Sequence, residues 1–397
     1  MNTTTDQLIE QIQSALNTAR VPGWLFYGFH ANDPIALSIL RFGPAYHATR
    51  RWFYLVPAEG EPVKLVHRIE SGMLDHLPGR KLVYLRWQEL RSQLAQLLGS
   101  SKTVAMQYSP ENAVPYVSKI DAGTVELVRA CGAEVVSSAD LVQQFETRWT
   151  ADQVEQHRAT ADLLTKIVNQ AFQEGASALS DKGLTTEFEL QRFIQRRFED
   201  NGLICDSPPI VGVNGNAGNP HYCPSESSHS AVRKGDFLLI DLWAKPLGPD
   251  AVYADITWTA FYGKSVPSRV TEVFDVVRRA RDRGVEFLKQ ATGGGRYPQG
   301  WEVDDAVREV IRVAGYADKF VHRTGHSLGR EVHGNGVNFD NLETHDTRSF
   351  LPGVACTIEP GIYLDDFGVR SEINVIYGKN GPEVTTSPQD SLLVFPL

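Results

Sequence analysis

Two stretches of the sequence repeat one design. In "RKGDFLLIDL" a glycine, Gly235, precedes an apolar run that ends in Asp241, and in "LPGVACTIEPG" Gly353 precedes, at the same offset, an apolar run that ends in Glu359. Each run is followed by a second strand-like run with its own acid, Asp255 in "VYADITWTAF" and Glu372 in "GVRSEINVIY". Read as hairpins, these are two similar units with one carboxylate per strand. A carboxylate on so apolar a strand cannot stay ionised and unpaired, because desolvation costs several kcal/mol. No lysine lies in either core strand, and Arg370 alone cannot neutralise four acids. Divalent metal is the economical counter-charge, and two ions balance four carboxylates. Between the two units, "HRTGHSLGREVHG" places His322, His326 and His333 close together in a chain with 11 histidines, and one neutral imidazole would complete an oxygen-rich ligand set. His322 and His326 also have the spacing of a zinc pair on a helix. Gly325 and Gly329 make a helix unfavourable there, so a turn or strand is expected.

Such a site needs a large fold to hold it. The first part, residues 1–147, alternates short strand-like runs ("GWLFYG", "RWFYLV", "PVKLVH", "KLVYLR") with helical segments, which predicts a small α/β domain. Its opening residues form an amphipathic pattern, with Leu8, Ile9, Ile12, Ala15 and Leu16 on one stripe, and lack the basic end and apolar run of a signal peptide. At residue 148 the character changes. Thr150 or Asp152 can cap a long helix, a second helix in "TTEFELQRFIQRRFEDNG" stops at Asn201 and Gly202, and the rest is mostly strands and turns broken by two more helices. The second part, residues 148–397, is therefore expected to be α+β, and it holds every dense polar cluster.

Composition narrows the partners. Hydrophobic residues make up 42% and charged residues 22%, and the net charge of -9 is spread without a basic block, so neither nucleic acid nor an anionic membrane is an expected partner. The four cysteines are scattered with no CxxC pair, which argues against a zinc ribbon or disulfide framework and for a reducing cytoplasm.

The segments "DLWAKPLGPDAVYADITWT", "HRTGHSLGREVHG", "TIEPGIY" and "GVRSEINV" resemble, in order, the pita-bread metallohydrolases: methionine aminopeptidase, aminopeptidase P, prolidase and creatinase. Residues 1–147 resemble the amino-terminal domain of the prolidase, aminopeptidase P and creatinase branches. The resemblance implies a pita-bread catalytic domain behind a smaller creatinase-type α/β domain. It implies two divalent ions per subunit held by Asp241, Asp255, His326, Glu359 and Glu372, with Asp255 and Glu372 bridging. Manganese is the first choice for so oxygen-rich a set, with zinc or cobalt as alternatives. It further implies a water activated between the ions as nucleophile, with Glu359 as general acid and base. His333 would hydrogen-bond the scissile carbonyl, and His221 and His322 would face the substrate. The implied activity is hydrolysis of the Xaa-Pro bond, with dipeptides ranked ahead of the longer peptides of aminopeptidase P. Creatinase-like amidinohydrolysis and non-catalytic peptide binding stand behind these, because relatives of that kind lose acidic ligands. A cytoplasmic homodimer is the implied assembly.

The chain also departs from the family. "KPLGPD" is a local insertion that should lengthen a hairpin turn, and Trp258 stands where arginine is common. The carboxylate-binding arginine of many prolidases falls on His345, with Arg348 nearby. Arg370 has two possible roles: pairing with a ligand carboxylate, or binding the substrate's carboxylate.

Overall fold

Alternation of period two organises both parts of the chain. A computed structural model describes residues 4–397, which form two compact units that divide between Glu146 and Thr147. In the first unit, α1 (Thr5–Ala19) begins on a Thr4 capping box and buries the expected stripe of Leu8, Ile9, Ile12, Ala15 and Leu16. The other elements are β1 (Gly23–Gly28), α2 (Pro34–Ile39), β2 (Trp52–Pro57), β3 (Val63–His67), β4 (Arg80–Tyr84), α3 (Trp87–Leu98), β5 (Thr103–Met106), α4 (Ala122–Ala130), β6 (Glu134–Ser137) and α5 (Ala139–Val142). Six of them form a mixed sheet in the order β4-β3-β2-β1-β5-β6. Trp24 and Phe26 of β1 pack with α1 on one side, whereas Leu25 and Tyr27 pack with Leu90 and Leu94 of α3 on the other. Successive side chains of a strand point to opposite faces, so an almost wholly apolar strand is what a sheet covered on both sides requires.

The second unit contains α6 (Ala151–Asp181), β7 (Thr185–Thr186), α7 (Glu187–Asp200), β8 (Leu203–Ile204), β9 (Ile210–Val213), β10 (Ala231–Val232), β11 (Phe237–Pro246) and β12 (Ala254–Tyr262). These are followed by α8 (Ser268–Gly293), α9 (Gly300–Val313), β13 (Ser327–Leu328), β14 (Ala355–Ile358), β15 (Gly361–Tyr363), β16 (Gly368–Arg370), β17 (Ile373–Gly378), β18 (Gly381–Val384) and β19 (Leu393–Phe395). Thr150 caps α6, accepting from Gln153 N–H. Two sheets carry the unit: β19-β12-β11-β8, with β9 also paired to β11, and β13-β14-β17-β18.

Each sheet is backed by a helix pair. Leu238, Ile240 and Leu242 of β11 and Ile256, Ala260 and Tyr262 of β12 pack against α6 and α7. Cys356, Ile358, Ile373 and Val375 pack with Leu288 of α8 and Val303 of α9. The opposite faces carry Asp241, Asp255 and Thr257 on one sheet and Thr357 and Asn374 on the other, and they meet through hydrogen bonds between Asp255 and Asn374. This is the α+β architecture expected of the second part, with the polar residues between two sheets. One expectation needs correction. Strand β11 continues through Lys245, so a core strand does hold a lysine. Its ammonium turns to the Arg330 carbonyl and lies over the Tyr253 ring, so it does not neutralise the acids.

Candidate metal centre

In the hairpin of β11 and β12, Asp241 stands opposite Thr257 and Trp243 opposite Asp255, so both aspartates share the inner face. The Asn374 side chain fixes Asp255 from the facing sheet: its carbonyl accepts from Asp255 N–H at 3.0 Å, and its amide donates to the Asp255 carbonyl at 2.7 Å. The second hairpin differs slightly from expectation. Strands β14 and β17 pair from Ala355 opposite Ile376 to Ile358 opposite Ile373, and Glu359 and Glu372 sit just beyond the paired stretch. Pro360 has no N–H to continue the ladder, and the chain turns into the small hairpin of β15 and β16 between the two glutamates. The Thr257 hydroxyl donates to Glu372 Oε2 at 2.7 Å, and the Thr357 hydroxyl donates to Glu359 Oε1 at 3.0 Å.

His326 lies in an extended segment ahead of β13, not in a helix. Its N–H donates to Thr357 Oγ1 at 2.9 Å, and its Nδ1 lies 3.2 Å from the Ser327 carbonyl. A carbonyl can only accept, so Nδ1 carries the proton and Nε2 keeps its lone pair, the state a metal ligand needs. Nε2 is 3.6 Å from Asp255 Oδ2 and 3.3 Å from Glu359 Oε1. Ligand atoms of Asp255, His326 and Glu372 all lie within 4.8 Å of one another. Gly325 permits this approach, since a Cβ there would lie 2.0 Å from the Thr357 carbonyl oxygen.

The electrostatics call for a cation. Burial, followed by the charges of neighbouring carboxylates, pushes Asp255 and Glu372 well above the usual carboxylate range. Asp241 is raised mainly by burial, although Arg370 opposes the shift. Asp241 Oδ1 and Asp255 Oδ1 are buried without a hydrogen-bond partner among the described residues. Buried polar atoms are rarely left so, and oxygens of this kind beside a neutral imidazole fit a divalent ion. Burial also holds His326 neutral, at a pKa of about 4.

The remaining predicted residues surround this cluster. Arg370 is buried and pairs with Asp241 Oδ2. It also donates to Thr257 Oγ1 at 3.0 Å, the Tyr363 hydroxyl at 3.1 Å and the Pro220 carbonyl at 3.3 Å. Of its two considered roles, pairing with a ligand carboxylate is the one its geometry displays. His322 places Nδ1 2.7 Å from the Arg323 carbonyl and Nε2 2.7 Å from the Tyr363 hydroxyl. With Nδ1–H donating to the carbonyl, Tyr363 accepts from Arg370 and donates to His322 Nε2, forming one directed chain. Burial and Arg370 hold the His322 imidazole neutral. The His333 ring is 4.4 Å from that of His326, in a residue that keeps part of its surface open to solvent. Repulsion between the two rings when both are protonated, followed by burial of the His333 imidazole, pushes its pKa down to about 3. His221 is exposed, and the residue before it, Pro220, gives its carbonyl to Arg370, the partner of Asp241. Arg348 is committed elsewhere, with bonds to Asp346 at 2.6 Å and to the Asn335 carbonyl at 2.7 Å, while His345 bonds Asn341 at 2.8 Å.

Four residues that hold the centre were not singled out from sequence: Thr257, Thr357, Asn374 and Tyr363. The threonines left a signal. Each stands two positions from a predicted acid, in "ADIT" and "TIE", and alternation places it on the ligand face.

The model of metallopeptidase family M24 matches residues 155–378. An Xaa-Pro dipeptidase from Lactobacillus helveticus is 27% identical over 267 residues, 66% of each chain. One from Lactobacillus delbrueckii subsp. lactis is 30% identical over 234 residues, 57% of each chain. The match thus spans less than two thirds of either relative. The crystal structure of dipeptidase PepE from Mycobacterium ulcerans superimposes with a TM-score of 0.71 at 22% identity, covering 100% of both chains, so the fold is shared along the full length.

Proposed function

Because this chain belongs to metallopeptidase family M24, whose model spans more than half of it, we propose that it hydrolyses the Xaa-Pro imide bond, with Xaa-Pro dipeptides as substrates. The observation that carries this reading is the convergence of buried acids from two facing hairpins on the proton-free nitrogen of His326, with two carboxylate oxygens left unpartnered. Asp241, Asp255, His326, Glu359 and Glu372 would hold two divalent ions, manganese first given the oxygen donors, with zinc or cobalt as alternatives. When bound, the ions would acidify a water molecule and polarise the scissile carbonyl.

The chain's own residues would do the rest. Glu359, beside His326 and steadied by Thr357, would take a proton from the attacking water and return it to the leaving proline nitrogen. His333, neutral at physiological pH, would donate a hydrogen bond to the carbonyl oxygen as its charge grows. His221 and His322 would line the substrate side. Arg370 would keep Asp241 charged and oriented, leaving substrate recognition to other groups.

One observation favours a second reading. Arg348 and Arg370 are both bonded within the protein, so neither provides a dedicated partner for a dipeptide's carboxylate. Longer peptides, the substrates of an Xaa-Pro aminopeptidase, do not need one beside proline. We further propose residues 1–147 as a creatinase-like domain and the assembly as a cytoplasmic homodimer. The free state of all four cysteines agrees with a reducing compartment, and light scattering tests the dimer. The deciding assay offers one Xaa-Pro dipeptide and one Xaa-Pro-Yaa tripeptide with and without manganese. Cleavage of the dipeptide supports the first reading, and cleavage of the tripeptide alone supports the second. Turnover of neither would revive amidinohydrolysis or peptide binding without catalysis.

A further inference from the structure

Glu187, the first residue of α7, is buried, yet it belongs to none of the groups considered so far. Four hydrogen bonds run into its carboxylate. Oε1 accepts from the Val213 N–H at 2.8 Å and the Asn216 side-chain amide at 2.9 Å, and Oε2 accepts from the Tyr222 hydroxyl at 2.6 Å and the Ser230 N–H at 2.6 Å. A buried carboxylate is costly unless its lone pairs are met, so this is a built arrangement. All four donors lie between residues 213 and 230, at the end of β9 and along the segment that links it to β10, which opens with a 3-10 helix (Asn214–Gly218) and carries His221.

The neighbours of His221 are held from two directions. Pro220, before it, offers its carbonyl to Arg370 at 3.3 Å, and Tyr222, after it, gives its hydroxyl to Glu187. An exposed histidine at the edge of a site has no packing to fix it, so the anchoring of its flanking residues sets where the imidazole stands. Burial, followed by the bond to Glu187, raises the Tyr222 pKa, so the hydroxyl keeps its proton and remains a donor.

We propose that Glu187 is a positioning residue that acts on the reaction through His221, by way of Tyr222. The inference rests on the reading of His221 as a substrate-side group. Loss of this anchor costs substrate affinity and leaves the metal cluster unchanged, because no ligand residue bonds to Glu187.

The test is a double-mutant cycle in the full chain loaded with manganese, using an Xaa-Pro dipeptide. Glu187→Gln keeps one accepting oxygen but sets an NH2 against the donors of the other, two of the four bonds, and tests folding as well, so Tyr222→Phe, which leaves the other three in place, is the primary variant. Tyr222→Phe should raise KM roughly 3–10-fold, the worth of one hydrogen bond, with kcat within about twofold and metal content unchanged. Combined with His221→Ala, it should add no further loss, because its effect passes through the imidazole. Losses that multiply in the double variant, or a KM for Tyr222→Phe equal to wild type, would overturn the role of Glu187 while leaving that of His221 intact. A His221→Ala variant with wild-type KM would instead overturn the reading of His221, and the inference with it.

Discussion

Replacing Arg370 with methionine separates the two roles considered for it. The guanidinium is buried and is the cationic partner of Asp241, whose other oxygen has no partner among the described residues. The substitution leaves Asp241 buried without its counter-charge and also frees Thr257, Tyr363 and the Pro220 carbonyl. Breaking a buried ion pair from one side costs about 3–5 kcal/mol, which for a unit of this size lowers Tm by roughly 6–20 °C. Ions bound beside Asp241 would supply part of the missing charge. The loss should therefore be full in protein stripped with a chelator and less than half as large after manganese is restored. Thermal melts in both states measure this. Arg269→Met is the control, because that arginine and its partner Asp366, 2.7 Å away, are both exposed, and the change should stay within about 0.5 kcal/mol. A shift below about 2 °C in the stripped Arg370→Met protein, with a raised KM for a free dipeptide but not for its carboxamide, would refute the reasoning. Arg370 would then be a substrate group.

Three further outcomes are expected. Asp255→Asn should abolish metal retention, whereas His333→Ala should keep the metal and lower turnover about 100-fold or more, the scale of losing one donor to a developing oxyanion; equal metal loss in both variants would contradict the separate roles. Metal binding should release protons. Asp255 and Glu372 are raised well above the usual carboxylate range, so in the metal-free protein they keep protons to higher pH than ordinary carboxylates, a cation displaces those protons, and affinity falls as pH falls through that raised range. Titration calorimetry of manganese into stripped protein, run at several pH values in buffers of different ionisation heat, reads the number directly, and a release that does not grow as the pH is lowered would contradict the shift. Gly325→Ala places a Cβ 2.0 Å from the Thr357 carbonyl and should cost about 1–3 kcal/mol as well as activity, because it separates His326 from Glu359; a melt and rate like wild type would show that the two segments are not packed so closely.

Local patterns made much of this molecule readable. The α1 stripe, the Thr150 cap and the all-apolar β1 follow from helical period, side-chain capping and a sheet buried on both sides. The two acid-bearing hairpins were visible because a carboxylate within "FLLID" conflicts with its surroundings, and such conflicts mark sites. The glycines around His326 argued against a helix, and the segment is extended. What stayed hidden depends on residues distant in sequence. Asn374 locks Asp255 from 119 positions away, and Arg370 finds Asp241 across 129, so no window along the chain could pair them. Glu187 resembled an ordinary acid in the first turn of a helix, the position the helix dipole favours. Its four partners come from a segment with no periodic pattern. Tyr363 reads as a core aromatic until its hydroxyl is seen between Arg370 and His322.

The account depends on divalent cations stabilising acids that two sheets have buried together, and elemental analysis of active, exhaustively dialysed protein tests this most directly. Divalent metal should remain at two ions per chain in the wild type, and Asp255→Asn should lose metal and activity together. Full activity in protein that retains no divalent ion would contradict it.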